Sequence, residues 1–213
     1  MVEYETIQKK KLTKGLPLIT KEELRKNLPC LPIVQKILAK KVTTGGTTGT
    51  PFEFYLDYFF SRQKERAYIF NIWKDVGFKP FNLRVVVRGN LSGRLIKFNK
   101  FEKAYIVSAN QLIPENKNKV LYFFRNLPPF FLHVYPSSLM GLIDFVGENQ
   151  FKSLPILGVM AGSELFPKGQ MDWFRNIFNL RIAHWYGHSE YAVLAKYCHT
   201  CNGFHFYPTY GLA

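Results

Sequence analysis

The sequence predicts an α/β fold with a mainly parallel sheet flanked by helices, and three observations carry that expectation. Short apolar runs rich in β-branched residues recur along the chain, stretches of helical length separate several of them, and small-residue turns follow some of the runs. Thr20 and Glu23 open the order of elements as a T-x-x-E capping box, in which each side chain satisfies a free N–H at a helix start. A short helix is expected from Lys21, bounded by Pro29 and Pro32, with a second over 34–40. Lys41 and Val42 then lead into a Gly/Thr-rich segment, Thr43 to Pro51. Residues 53–57 alternate as a strand does, and Ile69, Ile72, Trp73 and Val76 recur at i, i+3, i+4 and i+7, which predicts a helix over 59–76. Further strands are expected at 83–87, 104–107, 131–134, 156–160 and 181–185, with helices near 117–125, 138–148 and 169–178.

The chain has 213 residues, 47% hydrophobic and 21% charged, enough to bury one large core or two small ones. Twenty Phe and twelve Tyr call for a well-packed interior or an aromatic surface awaiting a partner. The most apolar region, 130–146, is broken by His133, Pro136 and Asp144 and falls short of a membrane span. No amino-terminal stretch joins a positive region to a long apolar run and a cleavage site, so the expected location is cytoplasmic. Cys30, Cys198 and Cys201 cannot build a disulfide framework, in keeping with a reducing compartment.

Twenty-nine Lys and Arg against fifteen Asp and Glu give +14, a field that attracts nucleotides, coenzyme A, nucleic acid or an acidic membrane without choosing among them. The plain alternative is a generally basic, solvated surface. A nucleic-acid-binding role would draw on the same charge and on aromatics that stack on bases, but no nucleic-acid motif accompanies them.

Three segments carry chemistry. Thr43-Thr44-Gly45-Gly46-Thr47-Thr48-Gly49-Thr50-Pro51 combines glycines that let the backbone turn tightly with hydroxyls and N–H groups that suit phosphate oxygens. It lacks the Gly-Lys-Ser/Thr ending of a Walker-type loop, and on composition alone a flexible connector explains it as well. Ala161-Gly162-Ser163-Glu164 is a small-residue turn directly after an expected strand, a site where α/β folds place ligands and also simply connect strand to helix. Tyr186-Gly187-His188-Ser189-Glu190 again follows a strand. Tyr186 can pack on a ring, Gly187 lets backbone come close, Ser189 can donate to a phosphate, and Glu190 offers a hard oxygen for Mg2+. Cys198, Cys201 and His205 form C-x2-C-x3-H with His199 nearby, a candidate zinc site, or else ordinary reduced thiols near a strand turn.

In this order the three segments resemble the signatures of adenylate-forming (AMP-binding) enzymes: a Thr-Ser-Gly-Thr-Thr-Gly-x-Pro loop, a Gly-Gly-Glu type turn and a Tyr-Gly-x-Ser/Thr-Glu motif. His133 to Leu139 and Gly203-Phe204-His205 with Tyr210-Gly211 look like the Tyr-Pro-Ser-x-Leu and Gly-x-His…Tyr-Gly stretches of the phenylacetate-coenzyme A ligase branch, while His188 looks more like the capsular-polysaccharide-biosynthesis branch. The resemblance implies that Thr43, Thr44, Gly45, Gly46, Thr47, Thr48 and Gly49 hold the β- and γ-phosphates of ATP, and that Gly162, Ser163 and Glu164 lie against adenine. It further implies that Tyr186, Gly187, Ser189 and Glu190 serve the nucleotide and its Mg2+. Phe52 stands where many members carry Lys, so phosphate neutralisation rests on other cations.

The implied reaction joins a carboxylic acid to ATP as an acyl-adenylate, then passes the acyl group to coenzyme A or an amine. The family's ribose-binding Asp, hinge and small carboxyl-terminal domain with its catalytic Lys have no counterpart here. The sequence therefore reads as a helical segment, 1–40, and an incomplete large amino-terminal domain, 41–213, with nucleotide binding the most expected of it alone. A catalytically inactive scaffold remnant is the alternative, and an unpaired strand edge would favour self-association.

Overall fold

The strands sort into two sheets, and the larger one positions the site. The computed structural model describes residues 20–27, 38–43, 52–57, 59–89 and 91–211. Helix α1 (Lys21–Asn27) begins at the expected capping box: Glu23 N donates to Thr20 Oγ1 at 3.2 Å, and Thr20 N donates to Glu23 Oε2 at 2.7 Å.

Strand β1 (Ala39–Thr43) pairs antiparallel with β2 (Glu53–Asp57), from Ala39 opposite Asp57 to Thr43 opposite Glu53. This corrects the end of the expected second helix, since Ala39 and Lys40 are strand, while residues 34–37 of that expectation lie outside the described residues. The partner strand supplies cross-strand hydrogen bonds and buries Phe54 and Leu56 on alternate positions of one face, and that pairing overrides local helical preference. In sequence the Gly/Thr segment lies between these two strands. Thr43 is described, whereas Thr44, Gly45, Gly46, Thr47, Thr48 and Gly49 lie outside the described residues.

The second sheet has eight strands in the order β10-β9-β8-β7-β6-β3-β5-β4. Its centre is parallel: β3 (Arg84–Arg88) lies between β5 (Ala104–Ser108) and β6 (Phe130–Val134), followed by β7 (Ile156–Gly162) and β8 (Ile182–Gly187). Antiparallel strands close both ends, β4 (Ile96–Asn99) on one side and β9 (Leu194–Cys198) with β10 (Gly203–Phe206) on the other. These three were not expected from sequence; they are short, and β4 and β10 keep no fully buried residue, so their apolar pattern is weak. Strand β7 also runs two residues past its expected end, because Ala161 and Gly162 still pair with His184 and Trp185 of β8.

Alternation along the parallel strands gives the sheet two apolar faces. Val85, Val87, Leu132, Val134, Val159 and Ala161 pack under α3 (Lys117–Arg125), α4 (Pro136–Val146), α5 (Glu148–Lys152) and α6 (Gln170–Phe178), through side chains such as Phe124, Leu139, Phe151 and Phe174. On the opposite face Phe131, Met160, Ala183 and Trp185 meet Ile69, Ile72 and Trp73 of α2 (Ser61–Trp73) and Val76 of the 3-10 turn that follows. Asp57 starts α2, its carboxylate accepting the Ser61 N–H at 3.0–3.1 Å. A fully buried Leu or Phe here contributes about 1.5–3 kcal/mol. Tyr210 ties the end of the described chain to α2: it is buried, its hydroxyl donates to Glu65, and Lys64 Nζ donates to its carbonyl at 2.5 Å.

Candidate active site

A cavity of about 1020 Å3 opens on the α2 side of the sheet. One wall is the β1–β2 hairpin, through Lys40, Lys41, Val42, Thr43, Leu56 and Asp57, and a second is α2, through Arg62, Glu65, Arg66 and Trp73. The floor is the sheet itself: Arg84, Val86 and Arg88 of β3, His133 at the end of β6, and Trp185 of β8. Tyr135, Ser163 and Tyr191 complete it beyond the carboxyl ends of β6, β7 and β8. Ligands of open α/β sheets bind at that end of the strands.

The sequence-expected residues meet this cavity unevenly. Thr43, the first residue of the phosphate-type loop, lines it. In the second motif Ser163 lines it with a left-handed backbone at φ +68°, which turns the chain sharply after β7. Gly162 serves a different contact: a Cβ there would stand 2.2 Å from Trp185 Cε2, so only glycine lets the indole lie across β7. Glu164 turns away, its carboxylate accepting the Ser137 N–H at 3.0 Å in the first turn of α4, a favourable place for a negative charge.

In the third motif the flanking residues Trp185 and Tyr191 line the cavity, while Tyr186, Gly187, Ser189 and Glu190 are not in its wall. Tyr186 is exposed, its hydroxyl 2.8 Å from His188 Nε2 and its ring edge-on to Phe204 and Phe206. A Cβ on Gly187 would come within 3.1 Å of Leu194 Cδ1, so this glycine lets β8 sit close to β9. Glu190 is half-buried in the β8–β9 turn and makes no ion pair among the described residues, which leaves its carboxylate available.

The floor also gathers side chains of which only His133 lies in a motif stretch, at the start of His133 to Leu139. Arg84 is buried, with Nη2 on Glu102 Oε2 at 2.9 Å, Nη1 3.4 Å from His133 Nδ1, and its guanidinium 5.0 Å from the Trp73 ring centre. His133 lies between Trp73 and Trp185, with ring centres 5.1 and 5.7 Å away. Burial, with Arg84 and Arg88 beside it, pushes its pKa down to about 3, so the ring is neutral at ordinary pH. Arg84 is itself lowered by burial, partly offset by Glu102 and reinforced by the repulsion of Arg66 and Arg88. Burial raises the carboxyl of Glu65 against the hydrogen bond from Tyr210. Apart from His133, the sequence trace of this cluster is the spacing Arg84-x-x-x-Arg88 about an apolar run, which places both on one face of a strand.

The β9–β10 hairpin brings Cys198, Cys201 and His205 together, their ligand atoms within 4.8 Å of one another. Two thiols and one imidazole are a zinc-type donor set, and a single tetrahedral ion with bonds of about 2.0–2.3 Å would close that spread. Cys198 is lowered by the backbone N–H of Cys201 and then by its thiol, which favours the thiolate a metal needs. His199 does not join the cluster; its Nδ1 lies 3.2 Å from Arg175 Nη1 and its Nε2 3.4 Å from the carbonyl of Ile182.

No protein-family model and no curated protein matches the chain. Among solved structures it is similar to a 2-hydroxyisobutyryl-CoA ligase in complex with 2-HIB-AMP and CoA, at 16% identity and a TM-score of 0.54, covering 84% of this chain and 42% of that one. A malonyl-CoA ligase ternary product complex with methylmalonyl-CoA and AMP is similar at 12% identity and a TM-score of 0.43, over 73% of this chain and 33% of that one. A luciferase-like enzyme from the mealworm Zophobas morio is similar at 14% identity and a TM-score of 0.42, over 73% and 35%. The first likeness shows the fold alone: this chain has the fold of part of that ligase, a mainly parallel eight-stranded sheet flanked by helices. The chain spans less than half the length of that ligase.

Proposed function

We propose that this chain carries the ATP-facing part of a carboxylate-activating ligase, in which an acid attacks the α-phosphate of ATP to give an acyl-adenylate and pyrophosphate, and the acyl group passes on to coenzyme A or an amine. One observation supports this above others. Residues from the phosphate-type loop, the Tyr-Pro-Ser stretch, the second motif and both flanks of the third, namely Thr43, Tyr135, Ser163, Trp185 and Tyr191, line one cavity although they lie far apart in sequence. A flexible connector and unrelated surface turns have no reason to converge in this way.

On this reading the Gly/Thr loop, from Thr43 through Gly49, holds the triphosphate, and the wall cations Lys40, Lys41 and Arg62 supply charge that the loop lacks with Phe52 after its Pro. Ser163 and the backbone around it face the base, and Ser189 donates to phosphate. Glu190 is the carboxylate for Mg2+, which when bound offsets the phosphate charge. The reaction needs positioning and charge stabilisation rather than a protein nucleophile, and the wall offers cations and hydroxyls accordingly. Cys198, Cys201 and His205 form a separate structural zinc site that fastens the β9–β10 hairpin. The phenylacetate-coenzyme A ligase and polysaccharide-biosynthesis branch is the subfamily favoured by the Tyr-Pro-Ser and Gly-x-His stretches.

Titration with Mg-ATP by calorimetry tests the binding half of the reading, and acid-dependent exchange of labelled pyrophosphate into ATP tests the chemistry. In a chain that turns over, Glu190→Ala should lower exchange by on the order of 10²–10³, about 3–4 kcal/mol. Absence of saturable Mg-ATP binding, or unchanged exchange in Glu190→Ala at saturating Mg2+, refutes the corresponding part.

A further inference from the structure

Resting on the reading that this cavity activates a carboxylic acid, we propose that the acid carries a second anionic group, held by Arg84 and Arg88 of β3 beside the rings of Trp73, His133 and Trp185. The first argument is charge. Lys40, Lys41, Arg62, Arg66, Arg84 and Arg88 line the cavity against only Asp57, Glu65 and Glu102. Each of those carboxylates already has its partner: Asp57 the first turn of α2, Glu65 the Tyr210 hydroxyl, and Glu102 the Arg84 guanidinium. Lys41 is in turn paired with Glu53 at 2.7 Å, so the cavity meets its ligand with Lys40, Arg62, Arg66 and Arg88 outside any ion pair among the described residues and with its carboxylates engaged.

The second argument is placement. Arg84, Val86 and Arg88 alternate onto one face of β3, and the parallel register sets Val86 opposite His133 of β6. The two guanidiniums thus flank the level of the histidine. Arg84 is held by Glu102, by His133 and by the Trp73 ring, so its position is fixed before any ligand arrives. Arg88 is exposed and ion-pairs with no carboxylate among the described residues.

The third argument is hydrogen-bond polarity. A guanidinium only donates, so its contact with His133 makes Nδ1 the acceptor and puts the ring hydrogen on Nε2. The floor then presents N–H groups on a bed of indole rings, with no free acceptor among Arg84, Arg88 and His133. A carbon skeleton bearing an oxyanion complements that surface. An uncharged alkyl or aryl tail would displace water from the guanidiniums and return nothing. The triphosphate has its own cations on the other wall, where Lys40 and Lys41 lead directly into Thr43 and the loop.

Matched acid pairs test this on the full chain: benzoate against terephthalate, and butyrate against glutarate, titrated by calorimetry with and without Mg-ATP. The expected result is binding of the dicarboxylates about ten-fold or more tighter than their monocarboxylate partners, as one additional charge-assisted pair gives. Arg88→Gln should reduce that preference to about three-fold or less, and Arg88→Lys should restore part of it. Equal affinities within two-fold overturn the proposal, as does an Arg88→Gln variant that loses Mg-ATP affinity while keeping its acid preference. A dicarboxylate preference without Mg-ATP binding supports the anion pocket and removes the ligase reading. Mg-ATP binding without any acid preference does the reverse.

Discussion

Gly162→Ala is the sharpest test of how the site is assembled. The new methyl would lie 2.2 Å from Trp185 Cε2, 2.4 Å from Cζ2 and 2.8 Å from Cδ2, closer than any real Cβ contact, and Trp185 is buried with Trp73 and His133 against its ring. The ring must tilt or β7 must part from β8, to which Gly162 is registered opposite Trp185 itself. Overpacking a filled core costs about 1–3 kcal/mol, and a clash with three atoms of a rigid ring belongs at the upper end, so about 3 kcal/mol is expected. Urea unfolding followed by tryptophan fluorescence gives the magnitude. The cause is separated by repeating the change in Trp185→Ala, where the ring is gone and the added methyl should cost less than about 1 kcal/mol. A cost under 0.5 kcal/mol in the natural background, or an undiminished cost beside Trp185→Ala, refutes the contact as the reason for the glycine.

Three further outcomes are expected. Glu102→Ala leaves the Arg84 guanidinium enclosed without its carboxylate and should cost about 2 kcal/mol in urea unfolding, below the range for a fully buried pair because the Glu102 side chain is 50% exposed; a change under 0.5 kcal/mol would show the pair to be idle. His133, held at about 3 when folded, stays neutral while the unfolded chain takes up a proton below about pH 6.5, so stability should fall as pH drops from 6.5 towards 3. The limit is about 1.4 kcal/mol per pH unit, and the cavity wets one edge of the ring, so roughly half that slope should separate the protein from His133→Gln in unfolding curves at pH 4–7. Parallel curves would rule this out. Purified protein should hold about one zinc per chain and lose several degrees of Tm in chelator, with Cys198→Ser losing both; less than a tenth of an equivalent with an unmoved Tm would dismiss the metal.

The parts of the fold legible in sequence are those where one strong local signal decides. The apolar runs that became β3, β5, β6, β7 and β8 are buried on both faces, so continuous hydrophobicity announces them. Strands β4 and β10 sit at the sheet edges, four residues each and none fully buried, and residues 39–40 are strand only because β2 is there to pair with them. The site divides along the same line. The proposed phosphate loop is one contiguous Gly/Thr segment, so Thr43 and its neighbours stand out as a motif. The cluster around the floor takes Trp73 from α2, Arg84 and Arg88 from β3, His133 from β6 and Trp185 from β8, residues spread over more than a hundred positions of the chain, so no local pattern announces it.

That division also changes what the second motif does. A small-residue turn at a strand end suggests close approach of a ligand to backbone, and Ser163 at the cavity fits that role. Gly162 instead admits the Trp185 ring, which leans on Trp73 at 6.1 Å and His133 at 5.7 Å, and these in turn seat the Arg84 guanidinium. A residue of the turn assigned to the nucleotide thus fixes, through one indole, the geometry of the cationic floor assigned to the acid. The two halves of the proposed site then share a structural element, and a substitution at Gly162 that the fold survives should shift acid selectivity together with Mg-ATP affinity. Mutations confined to Ser163 should move the nucleotide term alone.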